Sequence, residues 1–260
     1  MAEPGRVAIL TNRQPLHYLL VHHLARRFDV RQVIYERQGL ARSARLVARR
    51  SKRIGWGVVA GQLAFIAWDR LIEQPRTRRR IGQMLAGYDC ALPGAGLLQI
   101  DVESINDQAA AQALEAAAPE VCVVSGTSIL KASVLNQARV FLNIHAGITP
   151  RYRGAHGAFW AVYEGRPDLA GVTVHVVDAG IDTGGIVAQA PIEVAADDTL
   201  RTLVVKQYLA ALPLIADAVR QALNGTLAVT QRHDLDSRLW YSPTPADYWR
   251  FRKQLSRLPK

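Results

Sequence analysis

VCVVSGTSILKASVLNQARVFLNIH, residues 121–145, is the stretch whose reading decides the fold. Two β-branched, apolar runs, Val121–Val124 and Val140–Ile144, bracket a short helical pattern near Ile129 to Leu135. Strands joined through a helix-sized connection are parallel neighbours, because a parallel pair cannot be closed by a tight hairpin. The second run ends in Asn143 and His145, at positions i and i+2, so both side chains leave the same face of the sheet.

Upstream, Asp107 to Ala117 reads as a helix, and Val7-Ala8-Ile9-Leu10 as a strand followed by polar Thr11-Asn12-Arg13. Leu16, Leu19, Leu20 and Leu24 then recur at helical spacing, and Val30 to Tyr35 reads as another strand. Downstream, Gly171 to Val177 and Ile186 to Val194 are strand-like, and Thr199 to Leu223 is a long helix stopped at Asn224-Gly225, with Asp198 as its expected cap. The alternation specifies an α/β fold with a mostly parallel, twisted sheet flanked by helices, whose ligand sites lie at the carboxyl ends of the strands. Residues 1–225 form the main domain, and 226–260, with Trp240, Tyr241, Tyr248 and Trp249 among prolines and charges, form a C-terminal extension folded onto it.

Residues 38–87 interrupt this rhythm as a helical insertion, basic at both ends and apolar from Ile54 to Trp68. In a helix Ile54, Val58, Phe65, Trp68 and Ile72 share one face, widened by Val59, Leu63 and Ile66. The run is too short to span a bilayer. The favoured reading is a helix packed over the sheet; the other is an interfacial helix giving peripheral membrane contact through 50–80.

The chain of 260 residues is 49% hydrophobic and carries a net charge of +10, which favours anionic partners without choosing among them. Between Glu36 and Asp69 there is no acidic residue. Cys90 and Cys122 are far apart in apolar contexts, which suggests neither a disulfide framework nor a zinc-ligand spacing, and both are read as core residues. The first residues lack the pattern of a signal peptide, so the expected location is cytoplasmic.

The candidate chemistry starts at the strand end. Asn143 can offer amide donors to an oxyanion, and His145 can donate a hydrogen bond or carry a proton near neutral pH. Pro150-Arg151-Tyr152-Arg153-Gly154 is a basic, turn-rich loop that can cover a ligand. Asp178-Ala179-Gly180-Ile181-Asp182-Thr183-Gly184-Gly185 can fold tightly enough to aim Asp182 back at the strand end, where a carboxylate orients His145, raises its pKa, or takes a proton from an attacking amine. With no serine or cysteine placed as a nucleophile, direct attack by a substrate amine fits better than a covalent enzyme intermediate.

Asn143-Ile144-His145, Pro150 to Gly154, Gly171-Val172-Thr173-Val174-His175 and Asp178 to Ile186 together resemble the signature of the formyltransferase family, which includes methionyl-tRNA, glycinamide ribonucleotide and nucleotide-sugar N-formyltransferases. The resemblance is strongest from Val121 to Val194. It implies a Rossmann-like catalytic domain, 10-formyltetrahydrofolate as cosubstrate, no metal, and a catalytic group of Asn143, His145 and Asp182 supported by His175. In the implied mechanism Asn143 and protonated His145 stabilise the oxyanion while Asp182 assists proton removal. It further implies folate contacts at Ser125, Gly126, Thr127, Ile129, Leu130, Val177, Asp178 and Gly180. Tyr152, Arg153, Trp240 and Trp249 are assigned to the acceptor.

Two departures narrow the acceptor. Thr11-Asn12-Arg13-Gln14-Pro15 replaces the phosphate loop of the purine-pathway enzyme, and the chain beyond Gly225 is short for the tRNA enzyme's C-terminal barrel. The expected reaction is therefore N-formylation of a small primary amine, foremost a nucleotide-linked amino sugar, by a homodimer, with nucleic acid disfavoured as a partner. The alternatives are formyltetrahydrofolate hydrolysis, a methionyl-tRNA formyltransferase-like activity, and noncatalytic binding of nucleic acid or a membrane surface.

Overall fold

The computed structural model describes residues 3–37, 48, 51–52 and 55–258. Apart from residues 48, 51 and 52, the basic stretch expected to be helical between Gln38 and Arg53 lies outside the described residues.

Strand β1 (Glu3–Thr11), helix α1 (Pro15–Ala25) and strand β2 (Phe28–Glu36) open the fold. An insertion follows, made of α2 (Trp56–Trp68), a π-helical turn (Asp69–Glu73) and α3 (Gln74–Met84). Next come β3 (Gln99–Val102), α4 (Gln108–Ala117), β4 (Val121–Val124), α5 (Ala132–Leu135) and β5 (Val140–His145). Strand β6 (Arg153–Gly154), α6 (Gly157–Tyr163), the hairpin β7 (Gly171–Val176) and β8 (Ile186–Pro191), α7 (Leu200–Leu223), β9 (Leu239–Trp240) and α8 (Pro245–Leu255) complete the chain.

The seven-stranded sheet has the order β3-β2-β1-β4-β5-β7-β8. Strands β1 to β5 are parallel, whereas β7 runs antiparallel beside β5 and β8 antiparallel beside β7. This is a Rossmann-like sheet whose strand order reverses between β1 and β4, the place where ligand crevices form. Both faces are covered, so its central strands are apolar throughout. Val7, Ile9, Val121 and Val123 pack toward α1 and α7, whereas Ala8, Leu10, Cys122 and Val124 pack toward α4 and α5. Cys122 is buried in the core, Cys90 is half-buried, and both are free thiols.

A separate aromatic cluster of Phe65, Tyr152, Phe159, Trp160, Trp240 and Phe251 joins α2, α6 and α8. It explains where the insertion goes. Phe65 and Trp68 lie 5.5 and 4.8 Å from the Tyr248 ring, and Gln62 donates to the Ser242 carbonyl at 2.7 Å. The expectation of a helix over the sheet is thus corrected: α2 packs on the C-terminal extension. It buries Val59, Gln62 and Phe65 and leaves Val58, Leu63 and Ile66, with Ile72 just beyond its end, exposed. Nearly every position of α2 is apolar, so periodicity could not choose the buried face.

The cap of α7 is also reassigned. Thr199 and Thr202 form a reciprocal capping box, while Asp198 is fully buried just before it. The Asp198 carboxylate accepts from Thr202 Oγ1 at 2.8 Å, the Ala195 backbone at 2.8 Å, Lys206 Nζ at 2.6 Å and Arg80 Nη2 at 3.3 Å, tying α3 to α7. Strand β8 stops at Pro191, earlier than the expected Val194.

Breaking a buried, paired charge site is costly, so Asp198→Ala is expected to lower unfolding free energy by about 3 kcal/mol. Urea denaturation checks this, and a midpoint equal to that of the parent would exclude Asp198 as a clamp.

Candidate active site

Antiparallel pairing sets Asn143 opposite His175, and His145 two residues further along β5. Asn143 Nδ2 lies 3.0 Å from His175 Nε2. The Nδ1 of His175 faces the Val176 carbonyl at 2.8 Å and donates to it, which leaves Nε2 to accept from Asn143.

Asp182 closes the group at a left-handed φ of +51°. Its Oδ2 accepts the Gly154 backbone N–H at 2.9 Å and stands 3.3 Å from His145 Nδ1. Its Oδ1 is 3.4 Å from Asn143 Nδ2 and 3.5 Å from His175 Nε2. The Asp178 carboxylate folds the preceding loop by accepting from the Gly180 backbone at 3.0 Å and from Thr183 Oγ1 at 2.7 Å. Gly147 permits the remaining close approach: a Cβ there would collide with the Tyr152 carbonyl and sit 2.7 Å from His145 Nε2.

The electrostatics follow from burial and partners. Burial alone would push the Asp182 carboxyl up, but His145 and His175 beside it and the Gly154 N–H outweigh it and hold its pKa at about 2. His145 moves the other way from the sequence expectation. Its burial lowers the pKa below the ordinary 6.5, overriding the upward pull of Asp182 and of the Tyr152 carbonyl. Because His145 Nε2 lies 2.6 Å from that carbonyl, it carries the ring proton of the neutral form. Nδ1 then faces the ionised carboxylate. A proton arriving there is shared between Nδ1 and Oδ2, so the pair can receive a proton released beside it.

These groups line a cleft of about 360 Å³ at the carboxyl ends of β4 and β5. Of the residues assigned to folate, Gly126, Thr127, Ile129, Leu130, Val177, Asp178 and Gly180 line it. Ser125 does not; it is fully buried, with Oγ 2.7 Å from the Tyr208 hydroxyl. Of the residues assigned to the acceptor, Tyr152 is fully buried with its hydroxyl on Glu164 at 3.1 Å, and Trp240 is packed 4.5 Å from Trp160. Trp249 is exposed on α8 and does not line the cleft. Arg153 adjoins the site, donating to the Ile181 carbonyl at 3.1 Å.

Several residues of the site were not anticipated from the sequence. Tyr208 lines the cleft from the middle of α7, and its hydroxyl lies 2.5 Å from His17 Nε2, whose Nδ1 is 2.7 Å from Asn12 Oδ1. Asn12 donates to the Gly126 carbonyl at 2.7 Å, locking the β1 end to the cleft wall. Glu36, at the end of β2, accepts the backbone N–H groups of Ser128 and Ile105 at 2.7 and 3.0 Å. A polar residue following each strand was the available clue.

Residues 83–211 match the formyl transferase family model. A methionyl-tRNA formyltransferase of Anaeromyxobacter dehalogenans is 35% identical over 146 residues, covering 55% of this chain and 46% of that protein. The match thus spans about half the length of the relative. A sugar N-formyltransferase from Shewanella sp. superimposes with a TM-score of 0.57 at 14% identity, covering 96% of this chain and 87% of that one. WlaRD, a sugar 3N-formyl transferase solved in the presence of dTDP and 5-N-formyl-THF, gives 0.53 at 13% identity, covering 92% and 70%. At these identities the two structures establish the shared fold.

Burial lowers the pKa of His17 from 6.5 to about 4, so the native state stays neutral while the unfolded chain takes up a proton. Its contribution is present above pH 6.5 and is lost as pH falls toward 4. His23 and His156 shift in the same direction. Urea midpoints are expected to fall across this window, and His17→Gln to flatten the fall; an equally steep fall in that variant would show that His17 is not a source of it.

Proposed function

The chain belongs to the formyl transferase family, and from that premise we propose that it transfers a formyl group from 10-formyltetrahydrofolate to the primary amine of a small anionic acceptor, foremost a nucleotide-linked amino sugar. The observation that carries the reaction is the connected group of Asn143, His145, His175 and Asp182 in one wall of the cleft.

The cleft fits a flat heterocycle bearing a reactive arm. Apolar Leu130, Ile144 and Val177 share its lining with loop residues 126–129 and 178–182, which lie outside regular secondary structure. The bound cosubstrate supplies an electrophilic formyl carbon; the chain supplies the polar wall. Asn143 donates toward the carbonyl oxygen as negative charge builds there, and the long 3.4 Å contact to Asp182 is the weaker of its two resting bonds. His175 holds the Asn143 amide in place. Asp182, ionised at neutral pH, takes the proton the amine loses, His145 Nδ1 shares it, and the pair returns it to the donor nitrogen as the bond from that nitrogen to the formyl carbon breaks.

Support for an anionic acceptor comes from the other side of Asp182. There a recess of about 440 Å³ is lined by Arg153, Thr183, Arg232 and His233 among others. Arg153 Nε is buried and has no hydrogen-bond partner among the described residues. A diphosphate in this recess would lie next to the base that deprotonates the amine. A second reading, with methionyl-tRNA as acceptor, is favoured by the 35% identity to the Anaeromyxobacter enzyme.

The test is incubation with 10-formyltetrahydrofolate and a panel containing nucleotide-linked amino sugars, initiator methionyl-tRNA and no amine, with formylated product and free formate both quantified. Formylated sugar is the expected product. Formylated tRNA would select the second reading, and formate at a catalytic rate without amine would select hydrolysis. Asn143→Ala, His145→Ala and Asp182→Asn are each expected to lower transfer by about 10²-fold or more while leaving the fold intact. Turnover close to that of the parent in any one of them removes that residue from the mechanism.

A further inference from the structure

Helix α2 is apolar on the side that faces away from the protein as well as on the side that packs. Trp56, Ala60, Leu63, Ala67 and Leu71, spaced at i, i+4, i+7, i+11 and i+15, are all exposed, with Trp56 at 66%, Leu63 at 46% and Leu71 at 73%. From Trp56 to Ala67 this outer face bears no charge and extends roughly 17 Å at the helical rise per residue. Its inner face is committed through Phe65 and Trp68 to Tyr248 and the aromatic cluster, so the outer residues are not core residues awaiting a place in this fold.

Exposed charge marks the C-terminal end of the stripe. Arg70, Arg76, Arg78 and Arg79 follow it and are exposed, and seven cationic residues with no acidic one lie in sequence between Arg37 and Arg53. The two acidic side chains of the helical unit are engaged elsewhere. Asp69 is bidentate with Arg201 of α7 at 2.9 and 2.6 Å, and buried Glu73 accepts from the Tyr248 hydroxyl at 2.9 Å.

We propose that the exposed face of α2, with the exposed arginines that follow it, docks this protein on the surface of an anionic phospholipid bilayer. The apolar residues enter the headgroup boundary while the arginines meet lipid phosphates, the division of labour of an interfacial helix. Nucleic acid would leave three turns of apolar surface without a role. The 24-residue helix α7, the described helix long and apolar enough to cross a membrane, is packed on the sheet, so the contact is peripheral.

Sedimentation with vesicles tests this. The full chain is expected to pellet with phosphatidylcholine–phosphatidylglycerol vesicles, to stay in solution with phosphatidylcholine alone, and to bind less as salt rises. The double variant Leu63→Glu, Ile66→Glu, altered only at exposed positions and checked for an unchanged thermal melt, is expected to bind at least about tenfold more weakly. Arg76→Gln, Arg78→Gln, Arg79→Gln is expected to weaken the anionic preference. Absence of binding by the folded parent, or equal binding by the double variant, would overturn the proposal. So would a dimer that the double variant splits, or tRNA binding that it abolishes, since either assigns the face to another occupant.

Discussion

A carboxylate removed from water must be paired, and in this fold that requirement organises everything around Asp182. Left without partners, such a group costs several kcal/mol. Here its partners come from β5, β6 and β7, three elements separated in sequence. The loop therefore has to return to the strand end, and does so with Asp182 itself at positive φ. Gly154 has to present its N–H from a φ of +90°, where a side chain would be strained. Gly184 is equally constrained, because a Cβ there would run into the Val176 carbonyl. The glycines of these loops serve the carboxylate before they serve any ligand.

The same sheet end is braced from below by a neutral network. His17, Asn12, Ser125 and Tyr208 link the ends of β1 and β4 to α7 across the point where strand order reverses. A crevice at such a point exists because the helices following the two strands depart to opposite faces, and the network keeps its floor polar yet closed. Burial keeps His17 neutral and pushes the Tyr208 hydroxyl up to about 12, so this floor changes neither charge nor shape near neutral pH. The carboxylates that line the cleft, Asp178 and Asp182, lie on the loop after β7 and not on this floor.

The legible parts of the sequence were those where one local pattern had one physical outcome. Val121–Val124 and Val140–His145 had to be buried strands, and Asn143 with His145 had to share a face, so the heart of the site followed from spacing. Patterns with several outcomes were not legible. The Gln99–Val102 strand is four residues long and its inner positions alternate too briefly to register. Helix α2 is apolar all round, and only the placement of Tyr248, nearly two hundred residues later, selects Phe65 rather than Ile66 for burial. Tyr152 and Trp240 looked like ligand-facing aromatics, but the cluster between α2, α6 and α8 required them as core. The shift of His145 was misjudged for a related reason. A neighbouring carboxylate is visible in a motif, whereas the depth of burial that outweighs it is a property of the whole fold.

That aromatic cluster also connects the insertion to the chemistry. Phe65 of α2 packs into the same cluster as Tyr152, whose carbonyl holds His145 Nε2, and Trp240 of β9 pairs with the strand that presents the Gly154 N–H to Asp182. On its other side the insertion is fastened to α7 by Asp69–Arg201 and Arg80–Asp198, and α7 carries Tyr208 into the cleft. Packed cores transmit position because they have little free volume in which to absorb a shift. The outer face of α2 and the wall that holds Asp182 are therefore joined through continuous packing, so a surface that received that helix would also set how the cleft is presented.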